Sequence, residues 1–320
     1  MPKLKVLLAV LATLAFAHPA VSQAPAKQKA VLVTGGSSGI GLAITQLLSK
    51  SGFYVYATAR KDEDIKRLDA MDNVSGLRLD VTKQEEVDAA VKFVEAQGRG
   101  LYGIINNAGV ASVGELVKTT DADILWQHDI NVLGPLRVNR AFYPMLKESK
   151  GRTAIVGSLS AFIMGPQGGG YGMTKAAVEA YGETLALELA PDGIAVSVID
   201  PGAFKSRARE KVYRRMLTGD GDKQLPLTAE QQKMISDVQE AEMKLKEPIE
   251  VAQAALDFLT SDKPRLHYMV AQDEETAHVI VKTMLDRTLQ LYASQHALSR
   301  DQIVKMVDEG LAEQGAGNAP

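Results

Sequence analysis

Seven short apolar runs, each separated from the next by a stretch long enough to hold a helix, set the strongest limit on the fold. They are residues 30–34, 53–58, 75–79, 101–106, 153–158, 194–200 and 267–270. Between the first two, Ile40, Ala43, Ile44, Leu47 and Leu48 recur at the spacing of a helix that buries one face. Strand, helix and strand make a βαβ unit, and such units chain into a parallel sheet because parallel neighbours need a crossover. The expectation is an α/β fold, a doubly wound parallel sheet with helices on both faces. With 46% apolar residues over 320 positions, one sheet can bury a large core.

Composition removes several function classes. A net charge of −3 gives no overall pull toward nucleic acid. The absence of cysteine rules out disulfides, thiolate nucleophiles, iron–sulfur ligation and zinc-finger spacings. His18, His128, His267, His278 and His296 show no i,i+4 pairing, and only His278 has carboxylates nearby in sequence, so no metal site is expected. At the N-terminus, Lys3 and Lys5 precede an apolar run at 6–17 and then Ala20-Val21-Ser22-Gln23-Ala24, whose small residues suit a signal peptidase. The run is shorter than the ~20 residues that span a bilayer. Residues 1–24 are therefore read as a signal peptide or retained anchor, which favours export or membrane association, with the cytoplasm as the alternative.

Two regions depart from the regular alternation. Residues 205–247 form a charged, helix-prone insertion after Pro201-Gly202, at the strand edge where ligands bind in such sheets, and read as a substrate lid. Its start carries Lys205, Arg207, Arg209, Lys211, Arg214 and Arg215 against a single Glu210: a solvated face, or a surface for an anionic acyl carrier, a coenzyme A phosphate or a membrane. After the main domain at 25–272, residues 273–320 form a C-terminal helical extension. Its apolar positions Val279, Ile280, Met284 and Leu285 are expected to pack onto the domain or onto a membrane surface, and Ser299 and Gln302 spell a capping box.

The first strand leads into Thr34-Gly35-Gly36-Ser37-Ser38-Gly39-Ile40-Gly41. Glycines at 35, 39 and 41 let a pyrophosphate approach the backbone, and the following helix offers its positive end. Nucleotide sites specific for NAD place a carboxylate at the end of the second strand. Here that place holds Ala59, followed by Arg60, whose guanidinium suits a 2′-phosphate; NADP(H) is expected over NAD(H). Asp62, Glu63 and Asp64 are assigned to the first turn of the next helix.

Tyr171 and Lys175 stand one helical turn apart, and Ser158 lies thirteen residues upstream at the end of a strand-like run. An ammonium beside a phenol favours the phenolate, so this trio can move a proton to or from a carbonyl oxygen. Ser160 is the rival hydroxyl.

Taken with Asp80-Val81, Asn106-Asn107-Ala108-Gly109, Pro201-Gly202 and Ser206, these residues resemble the short-chain dehydrogenase/reductase family over residues 30–270. The resemblance implies a Rossmann-type domain in which Tyr171 is the general acid/base and Ser158 bonds the substrate oxygen. Lys175 would hold the nicotinamide ribose and Asn131 a proton-relay water. It further implies cofactor contacts from Gly35, Ser37, Ser38, Gly39, Ile40, Gly41 and Arg60, from Asp80 and Val81 on the adenine, and from Asn107, Ala108, Gly109, Pro201 and Gly202. Ser206 stands where the family has threonine on the nicotinamide amide. Thr82 and Glu85 also spell a capping box beside Asp80.

The C-terminal extension makes the chain similar to steroid- and retinol-dehydrogenase-like members, which implies a lipophilic carbonyl or alcohol substrate. The alternatives are a 3-oxoacyl carrier-protein-type reductase and a non-catalytic NADP-binding redox sensor or scaffold. Family members pair through the helices that here contain Asn131 and Tyr171, and the extension would cover the second assembly face, so a monomer or homodimer is expected.

Overall fold

The structure, a computed structural model, describes residues 28–219, 226–290 and 298–315. The signal-like segment therefore lies outside the described residues, as does the middle of the expected lid.

Seven strands form one sheet: β1 (Ala30–Val33), β2 (Tyr54–Ala59), β3 (Val74–Arg78), β4 (Gly103–Asn106), β5 (Arg152–Val156), β6 (Ala195–Pro201) and β7 (His267–Val270). Their order is β3-β2-β1-β4-β5-β6-β7, every pair parallel. Strand order reverses between β1 and β4, and ligands of such sheets bind at that crevice, outside the carboxyl ends of the strands.

Each strand is apolar at almost every position because it feeds two cores. In β1, Val31 and Val33 pack with Ile44 and Leu48 of α1 (Gly39–Lys50) and with Val251 and Phe258 of α9 (Ile249–Thr260). Ala30 and Leu32 face the other way, onto Val87 and Val94 of α3 (Gln84–Ala96) and Val138 and Phe142 of α5 (Gly134–Ser149). Fully burying each large side chain contributes roughly 1.5–3 kcal/mol, so both layers are needed to hold the sheet.

Several expected boundaries shift by a residue or two; β5 ends at Val156, leaving Ser158 beyond the strand. The acids Asp62, Glu63 and Asp64 do open α2 (Asp62–Asp69), and Trp126 lies in α4 (Asp121–His128). Asn131 is not in a regular helix: a π-helical turn, Asp129–Leu133, joins α4 to α5. Such turns concentrate at functional positions. The capping box read at Thr82 and Glu85 does not form. Helix α3 starts at Gln84 with Lys83 as its cap, Glu86 takes the Asp80 N–H at 2.7 Å, and Thr82 turns back onto Asp80. The box at Ser299 and Gln302 is present ahead of α11 (Arg300–Gly315). In α10 (Glu274–Leu289) only Ile280 of the four expected packing residues is buried; Val279, Met284 and Leu285 are exposed. No helix among the described residues is long and apolar enough to cross a membrane.

Candidate active site

The Gly-rich turn after β1 is held by its neighbours at the strand reversal. Asn107, just past β4, donates from Nδ2 to Thr34 O at 2.9 Å and Gly35 O at 3.1 Å. Thr34 Oγ1 accepts from the N–H groups of Asn107 and Ala108. Thr58 of β2 closes the other side, its Oγ1 accepting from Gly35 N and its carbonyl from Gly36 N. Gly35 and Gly39 adopt positive φ, +65° and +53°, which L side chains rarely tolerate. At Gly41 a Cβ would lie 2.3 Å from Gly35 O and 2.4 Å from Asn107 Nδ2, so the turn closes only on glycine there. Ser38 caps α1 without a side-chain bond to the helix, leaving the first amides of α1 to meet an anion. These residues fit a pyrophosphate.

Around this turn the cations outnumber those read from sequence. Arg60 is exposed at the end of β2, and its carbonyl accepts from Arg78 at 2.7 Å. Arg67, which sequence reasoning missed, reaches from α2 to donate to Ser37 O at 2.7 Å while paired with Asp64. Asp62 pairs with Arg78. Burial pushes the Asp80 carboxyl up, but hydrogen bonds from Thr82 and the nearby charges of Arg60 and Lys83 bring it below its ordinary value. Arg137 of α5 donates to the Val81 carbonyl.

Ser158 and Tyr171 come from two elements that pack together through Gly172 and the turn after Ser158. A 3-10 turn, Leu159–Ala161, follows Ser158, and the Ser160 N–H donates to Ser158 Oγ at 3.1 Å. Ser160 thus engages the expected hydroxyl through its backbone amide. Tyr171 lies in the first turn of α6 (Gly169–Leu189), where a Cβ on Gly172 would touch Ser160 O at 3.1 Å and clash with Met164. The small residue lets α6 close onto the serine turn. Lys175, buried, donates from Nζ to Val156 O at 2.7 Å, and its Nζ stands 5.5 Å from the Tyr171 ring centroid. Asn131 donates to Val110 O and Thr174 Oγ1 and accepts from Val110 N, tying the π-helical turn to the loop after β4 and to α6. Gly109 packs against it, an added Cβ meeting Asn131 Oδ1 at 3.3 Å.

The remaining expected residues lie at the end of β6. Pro201 closes that strand and Gly202 donates to Val270 O at 2.8 Å. A Cβ on Gly39 would approach Ser206 Cβ at 3.2 Å, so the lid entrance passes over the phosphate turn. The Ser206 hydroxyl donates to Glu242 at 3.1 Å, so it is engaged within the lid. Where it is described, the insertion expected to form a lid folds into α7 (Ala208–Thr218) and α8 (Ala229–Met243). Four of the six cations at its start are paired, one of them with a residue outside the insertion. Arg207 and Arg214 pair with buried Glu210, Lys205 with Glu247, and Arg215 with Asp123 while stacked 3.7 Å over the Trp126 ring. Burial works against the Glu210 charge, yet hydrogen bonds from Arg207, Gln239 and Arg214 hold that carboxyl down to about 2.

One grouping was invisible along the chain. Glu179 of α6, Asp200 of β6 and His267 of β7 bring ligand-type atoms within 4.8 Å of one another. The absence of helical histidine pairs did not reveal it, because its members come from three elements. Asp200 is fully buried, and its Oδ1 accepts the Ser158 N–H at 2.9 Å. Burial first, then the Glu179 carboxylate, pushes Asp200 up to about 8. The Glu179 carboxylate likewise raises His267, against the effect of burial.

Fold and turn define a dinucleotide-binding α/β protein. Sequence comparison refines this: the family model described as short chain dehydrogenase matches residues 29–216. Bovine mitochondrial D-beta-hydroxybutyrate dehydrogenase is 34% identical over 195 residues, 58% of this chain and 57% of its own length. Human 17-beta-hydroxysteroid dehydrogenase type 2 is 37% identical over 190 residues, covering 56% of this chain and 48% of that protein. The aligned region therefore spans about half the length of these two relatives. A solved short-chain dehydrogenase from Streptomyces avermitilis superposes with a TM-score of 0.68 at 27% identity, covering 84% of this chain and 96% of that one. The chain belongs to the short-chain dehydrogenase family.

Proposed function

We propose that the protein is an NADP(H)-dependent oxidoreductase that interconverts a carbonyl and the corresponding alcohol on a lipophilic substrate. The observation that carries this reading is the packing of α6, with the Lys175 ammonium 5.5 Å from the Tyr171 ring, against the turn that follows Ser158, in a sheet whose glycine turn leaves helix amides open to an anion. When bound, the nicotinamide supplies or accepts the hydride. Ser158 Oγ already accepts from Ser160 N, so its own O–H is free to donate to the substrate oxygen and steady a developing alkoxide. Tyr171 gives the proton to that oxygen in reduction and takes it back in oxidation. Lys175 sets a positive charge beside the phenol and retains N–H donors for a ribose. Asn131 fixes the loop after β4 with its side chain, so a relay water would be held through its backbone.

Arg60 and Arg67 flank the phosphate turn, and Asp62 and Asp64 are engaged with Arg78 and Arg67, which supports a 2′-phosphate and hence NADP(H). Exposed Met164 beside Gly172, with Val113 and Met216 along the cleft between the loop after β4 and α7, supports a lipophilic substrate. The pairing of Lys205, Arg207, Arg214 and Arg215 with carboxylates weakens the case for an acyl carrier. Purified protein assayed with NADPH and NADH against steroid, retinoid, long-chain and aryl carbonyls is expected to consume NADPH with at least one class. No consumption of either cofactor with any of them would contradict the proposal.

A further inference from the structure

Beside the Ser158 backbone, the carboxylates of Asp200 and Glu179 face one another, with the His267 ring against Glu179. Asp200 Oδ2, both carboxylate oxygens of Glu179 and His267 Nδ1 have no hydrogen-bond partner among the described residues. Two adjacent carboxylates cannot both ionise in a dry site, and a buried acceptor without a donor is costly. One proton between Asp200 Oδ2 and Glu179 removes both penalties. The charge left on Glu179 then lies beside His267, whose Nδ1 is 3.3 Å from Glu179 Oε2 and whose Nε2 is 3.5 Å from Glu183 Oε1 at the surface.

The cluster is closed against the chain that carries Ser158. A Cβ on Gly157 would fall 2.0 Å from Asp200 Oδ1 and 3.0 Å from Glu179 Oε1. The Ser158 N–H ends on Asp200 Oδ1, and the Gly157 N–H ends on Ile199 O at 2.7 Å. A line of contacts thus runs from Glu183 through His267, Glu179 and Asp200 to the amide of Ser158. The other ionisable side chains named on the elements around β6 are engaged elsewhere or exposed. Asp257 of α9 accepts from Tyr268 OH, Glu250 is exposed at the start of α9, and Lys175 donates to Val156 O.

We infer that Asp200 and Glu179 share a single proton and serve as positioning residues, fixing the exit of β5 so that the Ser158 hydroxyl keeps its aim. This rests on the reading of Ser158 and Tyr171 given above. In the shared state Asp200 is a neutral acid that accepts from Ser158 N with one oxygen and donates to Glu179 with the other. Asparagine reproduces both bonds and alanine neither. A working anion or a metal ligand at Asp200 would behave in the opposite way, since an amide replaces neither.

The test uses the full-length protein with NADPH and two carbonyl probes, decanal and 4-nitrobenzaldehyde. Asp200→Ala is expected to lower kcat by about 100-fold through misplacement of Ser158 while NADPH binding persists. Asp200→Asn is expected to stay within about threefold of wild type, and to lose the fall in kcat that wild type shows as the shared proton leaves at alkaline pH. Infrared spectra of the wild type should contain a protonated-carboxyl band that vanishes in Asp200→Asn. That band needs no substrate, and it decides the matter if Asp200→Ala does not fold. Asp200→Asn as inactive as Asp200→Ala, an absent band, or one tightly bound divalent cation per chain whose removal abolishes turnover would each overturn the inference. Tyr171→Phe, run alongside, separates the two readings: if it turns over the probes like wild type, the assignment of the site fails while the infrared result still decides the shared proton.

Discussion

At the scale of single residues, the candidate site draws on chemistry that fixed local spacings carry. Tyr171 and Lys175 share a helix face, and the glycines at 35, 39 and 41 permit a turn that other residues would block. The residues that hold these in place were not legible. Thr34, Thr58, Thr174 and Asp200 look ordinary along the chain and acquire partners only when strands far apart in sequence become neighbours. Arg67 is a further case, and it sharpens the cofactor reading. Arg60→Ala and Arg67→Ala should each weaken NADPH binding by about tenfold while changing NADH binding little, as read by fluorescence titration, since each loses a charge-assisted contact to phosphate. Equal loss for both cofactors would count against the 2′-phosphate assignment. The pH dependence of stability follows from Asp200. Its folded value near 8 lies above the ~3.9 of an unfolded aspartate. The native state therefore binds the extra proton between these values, and stability contributed by this group falls as pH rises through that window. Glu210 has the opposite sign: held near 2, it contributes above the unfolded value of ~4.3 and loses that contribution as pH falls toward 2. Thermal melts of wild type should fall from pH 5 to pH 8, and Asp200→Asn should flatten that slope.

At the scale of elements, apolar runs located all seven strands, because strands buried on both faces carry an almost continuous signal. Helix ends were read less well. Ser299 and Gln302 cap α11 as their spacing implies, whereas Thr82 and Glu85 do not cap α3, because Asp80 holds Thr82 and Glu86 reaches back instead. The helix-prone insertion at 205–247 folds, where it is described, into α7 and α8, and ion pairs engage four of the six cations at its start. Glu242 shows why sequence could not reveal this. From α8 it accepts the Arg209 and Glu210 N–H groups and the Ser206 hydroxyl, capping α7 with a side chain more than thirty residues away. Glu242→Ala should cost the start of α7 about 1–2 kcal/mol, a cap-sized loss. Hydrogen exchange is the readout: faster exchange confined to α7 is expected, and unchanged protection there would show that the cap does not hold the lid.

At the scale of the whole molecule, the parallel order fixes where the site must be. The sheet reverses between β1 and β4, so the glycine turn, the Asn107 loop and the end of β5 emerge at one edge, and α6 lays Tyr171 against them. This convergence was implied by the alternation of elements, since connections in such sheets place successive strand ends on the same side. In the C-terminal extension Ile280 packs onto the domain while Val279, Met284 and Leu285 are exposed, so the membrane surface stays a proposal for those three. A monomer or dimer in solution remains the expectation for assembly, and light scattering that returned a tetramer would refute it. The N-terminal segment leads to a proposal of export or membrane association, checked by N-terminal sequencing of protein recovered from soluble and membrane fractions of its native host. Central to the account is that one phenol at the sheet edge moves the substrate proton while the glycine turn binds the cofactor separately. The most direct test is Tyr171→Phe, followed by carbonyl-dependent NADPH oxidation and NADPH titration on the same preparation. The account expects turnover to fall by at least about 100-fold with NADPH affinity within about threefold of wild type; turnover within a few-fold of wild type would contradict it.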